Sequence, residues 1–292
     1  MMQKRDYIPS SVWLCVLSLF VFATPAPAQQ PAAKPAPAAS PTAPAREMPA
    51  RVSETLIDSS IPDDPAVDQM LVAYAPKVRA LNTVIGRLKG ELRKSGTGAG
   101  SLGNFVADGM RAQTSLKLGK PIDLALVNSG GLRRPTIGEG ELRARDIFEL
   151  LPFENALVTV DVSGEQLLKL LQLVTTSREA QSGAHIVYVI KADKSQQLEK
   201  ATLRDVNGRE KEIDPQAMYT IVTIDYLMIV GGRYLVLREG KNLNPLGITL
   251  RDAIIDYVKS ETAADRDIKP NTDERFSLDR INSVITGDPP PQ

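Results

Sequence analysis

Residues 122–127 read as a strand buried on both faces, and the run stops abruptly at Asn128-Ser129-Gly130-Gly131. A strand without a polar face must be covered from both sides, and periodicity along the chain shows what is available to cover it. Asp64-Pro65 opens a helix carrying Val67, Met70, Leu71 and Tyr74 at helical spacing. Residues 83–88 read as a short strand, and 102–118 as a helix with Phe105, Val106, Met110 and Leu116 inward. Residues 147–151 form a short helical piece and 156–162 a strand. Ser163-Gly164-Glu165-Gln166 then spells a capping box, in which hydroxyl and amide satisfy free helix-end N–H groups. Leu167, Leu168, Leu170, Leu171 and Val174 form the stripe of that helix. Strands follow at 186–190, 198–206 and 219–223, and a last amphipathic helix at 248–259. Helices and strands alternate early and strands dominate later, which predicts an α+β fold, a mixed β-sheet with flanking helices.

The two ends do not belong to this core. Lys4 and Arg5 precede an apolar run over 12–23, and Ala26-Pro27-Ala28 closes it with small residues, so 1–28 is expected to be a cleaved secretory signal. The run is about twelve residues, short of the roughly 20 that span a bilayer. No membrane span is expected after cleavage, and the product should be exported, to the periplasm or beyond. The single cysteine, Cys15, lies inside the signal, so the remainder has neither a disulfide nor a thiol nucleophile. Residues 29–50, rich in Pro and Ala, should be an extended spacer. The folded domain is expected over 51–285, with a loose tail at 286–292. The 35 Lys and Arg balance 35 Asp and Glu, without a basic block, which excludes a nucleic-acid backbone binder.

A buried strand ending in Asn-Ser-Gly-Gly brings bare backbone amides to the rim of a sheet, where ligands of α/β proteins tend to sit. Arg133 adds a planar fork suited to a carboxylate or phosphate. Taken alone, the stretch fits a ligand turn and a plain turn with two solvated arginines equally well. Its company separates the two readings. Leu102-Gly103-Asn104-Phe105-Val106-Ala107-Asp108-Gly109-Met110 precedes it, and Leu151-Pro152-Phe153-Glu154-Asn155 follows. Further on stand Asp225-Tyr226-Leu227 and Val230-Gly231-Gly232-Arg233-Tyr234.

In that order and spacing the chain resembles the C-terminal, substrate-binding domain of the 5′-nucleotidase family, which includes periplasmic UDP-sugar hydrolases. The resemblance implies that Asn128 and Arg133, with Gly130 and Gly131 between them, hold the phosphate and ribose side of a nucleotide. It implies that Phe153 and Tyr226 sandwich the base and that Asn104 lines the pocket. Where the family carries an Asp toward the ribose hydroxyls, this chain has Arg233, which has only donors to offer.

The resemblance also implies that catalysis belongs elsewhere, to a metallophosphoesterase domain with two metals. A paired-metal site needs several converging nitrogen and carboxylate ligands, and the chain has one histidine, His185. His185 is read as a packed or surface strand residue, and Asp108, Asp123 and Asp146 as caps or solvated carboxylates. Gly98-Ala99-Gly100-Ser101-Leu102-Gly103 matches a dinucleotide fingerprint but follows a charged segment, and is read as a linker before a helix. The expectation is a stand-alone domain that binds a nucleotide or another phosphate-bearing small molecule and holds no cofactor. It is expected to be inactive alone, with a separately encoded metallophosphoesterase chain carrying the divalent metals. The competing expectation is a non-catalytic exported anion-binding or structural envelope module.

Overall fold

The computed structural model describes residues 53–284 apart from 206, 230 and 231. The signal, spacer and tail expected at the two ends lie outside the described residues, as does the start of the Gly231 block. The chain divides into two units after Ile61, and every element named below belongs to the second.

In chain order, α1 (Pro65–Leu71) and α2 (Ala75–Ala80) precede β1 (Val84–Leu88) and β2 (Leu92–Arg93). A 3-10 turn at Thr97–Ala99 enters the long helix α3 (Gly100–Leu118). Next come β3 (Leu124–Val127), a 3-10 turn at Ser129–Gly131, β4 (Thr136–Ile137), β5 (Gly140–Arg143) and α4 (Ala144–Leu150). β6 (Ala156–Ser163) feeds α5 (Gly164–Ser177), followed by β7 (Ala180–Ser182), β8 (Ala184–Ile190), β9 (Gln196–Arg204) and β10 (Glu210–Glu212). The chain continues through β11 (Met218–Ile224), α6 (Asp225–Ile229), α7 (Leu235–Arg238), β12 (Lys241–Thr249), α8 (Leu250–Ala263) and β13 (Phe276–Leu278).

The principal sheet has the order β12-β6-β11-β3-β7, with β3 parallel to β11 and the other neighbours antiparallel. A second sheet, β10-β9-β8-β13, is antiparallel except for the β8–β13 pair. Two short ribbons, β1-β5 and β2-β4, complete a mixed α/β architecture with flanking helices. All four residues of β3 are buried, as the apolar run predicts. Leu102, Val106 and Met110 of α3 and Leu167, Leu170, Leu171 and Val174 of α5 are fully enclosed around it. Each such side chain contributes about 1.5–3 kcal/mol.

Local signals hold at the helix starts. Ser163 Oγ accepts the Gln166 N–H at 3.3 Å while Gln166 Oε1 accepts the Ser163 N–H at 2.9 Å. Thr249 and Asp252 form a second capping box that starts α8 two residues later than the periodicity suggests. The G-x-G-x-x-G glycines serve packing where the turn becomes α3. A Cβ at Gly103 would lie 2.0 Å from the Gly98 carbonyl oxygen.

Two expectations fail. Leu116 is not inward but 70% exposed. The apolar face of α1 is uncovered, since none of its residues is buried, and Tyr74 lies beyond its end. Helical spacing puts side chains on one face but does not dictate that anything packs there. The periodicity also misses β12, whose pattern is mostly exposed because it is the edge strand of the principal sheet. An edge position tolerates Pro245, which has no N–H to donate.

Candidate functional site

Sheet register decides which motifs meet. Val222 of β11 lies opposite Ala125 of the parallel β3, and Ile224 opposite Leu157 of the antiparallel β6. The end of β3, the end of β11 and the start of β6 therefore share one rim. The loops carrying Asn128, Tyr226 and Phe153 leave from those three points. The Ala156 N–H donates to Asp225 Oδ1 at 3.1 Å, and the Asn155 carbonyl accepts the Leu250 N–H at 2.8 Å. The first bond stitches the loop of Phe153 to the helix of Tyr226, and the second ties it to the start of α8.

The Asn128 turn is clamped from beneath. Glu179, only 7% exposed, accepts the Ser129 N–H at 2.6 Å with Oε2 and the Tyr234 hydroxyl at 2.8 Å with Oε1. Burial, and then the Glu179 carboxylate beside it, push the Tyr234 phenol upward. Ser129 Oγ donates to the Arg178 carbonyl at 2.7 Å, which removes the serine as a free nucleophile. Asn128 lies over the turn it starts. A Cβ on Gly131 would come within 3.0 Å of Asn128 Oδ1, so the bare glycine leaves room for the amide. That Oδ1 is buried and has no hydrogen-bond partner among the described residues. A buried acceptor without a donor costs about 1–3 kcal/mol, and a donor from outside reaches it only if the turn shifts.

The two arginines of the motif have different fates. Arg134 pairs with Asp146 at 2.9 Å and Glu149 at 3.1 Å. Arg133 is exposed and forms no ion pair among the described residues. Its Nη1 donates to the Gly130 carbonyl at 3.3 Å, and its Cζ stands 5.9 Å from the Phe153 ring centroid, within cation–π range. Phe153 and Tyr226 are 48% and 46% exposed, so both rings are open to solvent. Arg251, which the motifs do not flag, lies beneath this loop. Its Nη2 donates to the Phe153 carbonyl at 3.3 Å and its Cζ sits 4.4 Å from the Phe148 ring centroid.

The structure thus brings Asn128, Gly130, Gly131, Arg133, Phe153 and Tyr226 to one rim. Asn104 is spent differently, because its Nδ2 donates to the Asn271 carbonyl at 2.8 Å on the side of α3 that carries Asp108. Sequence reasoning also misses Glu179, whose partners are 50 and 55 residues away and leave no local signal.

The remaining titratable candidates are structural. His185 Nδ1 lies 2.8 Å from Glu210 Oε1 and Nε2 lies 3.0 Å from Ser277 Oγ. The chain of hydroxyl, imidazole and carboxylate looks catalytic. Glu210 is nonetheless engaged by the Arg204 guanidinium and the Thr202 hydroxyl as well, which hold its carboxyl down to about 2. It works as a staple across the second sheet. Asp146 caps α4, Asp123 accepts the Thr220 N–H at 2.7 Å, and Asp108 pairs with the buried Arg275. Among the described residues no three His, Cys, Asp or Glu side chains are grouped to hold a metal ion. A cavity of about 700 Å³ among the described residues does not open at this rim.

Fold and rim together define a mixed-sheet α/β domain whose loops gather at one set of strand ends. Residues 82–239, more than half of the 292-residue chain, match the family described as 5′-nucleotidase, C-terminal domain. The chain belongs to that family. It is 25% identical over 224 residues to an apyrase of Tabanus yao, covering 70% of this chain and 40% of the relative. It is 25% identical over 175 residues to protein UshA of Yersinia enterocolitica, covering 60% of this chain and 30% of that protein. Among solved structures, a 5′-nucleotidase precursor from Thermus thermophilus superposes with a TM-score of 0.61 at 24% identity, covering 74% of this chain and 44% of that one. The chain spans less than half the length of these relatives.

Proposed function

We propose that this chain binds a nucleotide, or a similar phosphate-bearing small molecule, at the rim formed by Asn128, Arg133, Phe153 and Tyr226. The observation that carries the reading is the exposed Arg133 guanidinium, without a carboxylate partner among the described residues and 5.9 Å from the open Phe153 ring. Arg133 offers a donor fork for a phosphate, and Asn128 Oδ1, once a shift of the turn uncovers it, offers an acceptor for a ribose hydroxyl. With Arg233 in place of an acid, Asn128 is the acceptor the sugar would meet. The open rings of Phe153 and Tyr226 accept a base of any identity, since every base has a π-face.

The nominal role is in nucleotide hydrolysis, with the metal-dependent step supplied by a separately encoded metallophosphoesterase. Family membership supports this, because the relatives extend well beyond the stretch this chain matches. The N-terminal layout supports export to the periplasm or the medium, and a mature protein whose first residue is not Gln29 would count against the assigned cleavage point. No helix among the described residues is long and apolar enough to cross a membrane.

Calorimetry with AMP, UMP, UDP-glucose and inorganic phosphate tests the binding. Heat with at least one nucleotide that weakens in Phe153→Ala is expected, and silence with all four ends the reading. Mixing the chain with an exported metallophosphoesterase should raise nucleotide hydrolysis, and an unchanged rate and specificity would remove the partner. A second reading, a non-catalytic anion-binding or envelope module, is favoured by Arg233 alone. It is the outcome if nucleotides bind and no partner responds.

A further inference from the structure

The about 700 Å³ cavity lies at the opposite end of β3, beside Pro121 and Ile122. That volume is within the roughly 300–1,000 Å³ range of small-molecule sites. Its charged lining sorts into groups that are engaged and groups that are not. Arg275, 5% exposed, binds both oxygens of Asp108 at 2.9 Å and both of Asp273 at 2.7 and 3.0 Å. Arg204 pairs with Glu210 at 3.0 Å. Asp205 accepts the backbone N–H groups of Asn207 and Arg209 at 2.8 and 2.9 Å. Arg275 therefore neutralises Asp108 and Asp273, while Asp205, exposed and held by backbone N–H groups, keeps its charge at the edge of the opening.

Two cations of the lining have no carboxylate partner among the described residues. Arg111, half-buried on α3, donates from Nε to the Ile122 carbonyl at 2.7 Å and from Nη2 to the Arg204 carbonyl at 3.2 Å. It has no carboxylate partner within ion-pair distance among the described residues. Burial pushes the guanidinium down, while Asp108 and Asp123 act on it from farther off. Gly183 gives it space, since a Cβ there would lie 3.1 Å from the Arg111 Cζ and 2.1 Å from the Asp123 carbonyl oxygen. Lys120 stands at the edge, with Thr220 Oγ1 at 3.5 Å and no ion pair among the described residues. Ala112, Leu116, Pro121, Ile122 and Ala184 form the apolar part of the wall, and Ser115, Ser182 and Asn271 add polar groups to it. Leu116, turned out of the core, faces this opening.

We propose that the cavity at the start of β3 is a second binding site, for a small organic anion whose carboxylate or phosphate head meets Arg111 and Lys120 while an apolar tail lies along Leu116 and Pro121. Two cations without a carboxylate partner beside a partly apolar wall select a negative head on a greasy body. The site is independent of the nucleotide rim, which lies beyond the other end of the same strand.

Calorimetry on the full chain with octanoate, octyl phosphate and octanol tests it. At least one of the two anions should bind with a stoichiometry of one, about tenfold or more tighter than octanol, as expected for a charge-assisted hydrogen bond. The tighter of the two anions identifies the head group. Arg111→Gln should weaken that binding by about tenfold or more. Leu116→Glu, a change at an exposed position that leaves folding intact, should weaken it as well and decides the matter if Arg111→Gln does not fold. Phe153→Ala should leave it unchanged. Failure of both anions to bind, equal binding of octanol, wild-type binding by Leu116→Glu, or loss in Phe153→Ala would each overturn the proposal.

Discussion

The two ends of β3 solve the same problem in opposite ways. Beyond Val127 the backbone is held by a buried carboxylate, Glu179, and the group left over is the neutral acceptor Asn128 Oδ1. Before Leu124 the carboxylates are consumed by Arg275 and by backbone N–H groups, and the group left over is the cation Arg111. One end asks a ligand for a donor and the other for an anion. The contrast shows how a chain with no net charge can present two ends of different chemistry: packing fixes which partners are satisfied internally and which are left over.

Breaking the internal pairs should reveal which end the fold depends on more. Arg275→Ala leaves Asp108 and Asp273 without their counter-ion, and should destabilise by about 3–5 kcal/mol in urea unfolding. Glu179→Ala strips the Ser129 N–H and the Tyr234 hydroxyl of their acceptor, and should cost about 2–3 kcal/mol. A larger loss for Glu179 than for Arg275 would reverse the ranking of the two ends. Phe153→Ala touches neither lock. It should leave stability within about 0.5 kcal/mol, while nucleotide binding falls by about 1–3 kcal/mol.

A subtler contrast is in pH. Glu210, which holds Arg204 at the cavity wall, titrates at about 2 in the fold against an ordinary 4.5. Its depressed value means the stabilisation is present above 4.5 and is lost as pH falls toward 2. Tyr234, at the turn, is raised above its ordinary 10.0. Its contribution is present below 10 and is lost as pH rises beyond it. Acid should thus loosen the cavity end and alkali the turn end. Glu210→Gln should flatten the acid limb of a melting-temperature profile. Tyr234→Phe should flatten part of the alkaline limb, the rest belonging to Tyr257, which burial and the Glu261 carboxylate push up to about 12. Unchanged limbs in these variants would show that the shifts do not reach global stability.

Much of the architecture is legible because its causes are local. Apolar density marks β3, a serine and a glutamine three residues apart mark the start of α5, and helical spacing marks the inner face of α3 near Val106 and Met110. The same reasoning misplaces Leu116 and leaves the α1 face without a covering partner, since spacing defines a face but not a neighbour. The candidate rim is legible through its blocks, yet the separate fates of Arg133 and Arg134 are not. What separates them is Asp146 and Glu149 on α4, which reach Arg134 only once the turn and that helix pack together.

From the sequence alone came the fold class, the order of most elements and the family resemblance, because hydrophobic period, caps and turn residues act over a few residues. Only the tertiary structure decided that Glu179 lies under the Asn128 turn, that Arg275 reaches Asp108 across 167 residues, and that the cavity of about 700 Å³ opens away from the motifs. Those outcomes follow from strand order and register, which are settled by the summed packing of distant segments and are written in no single stretch of the chain.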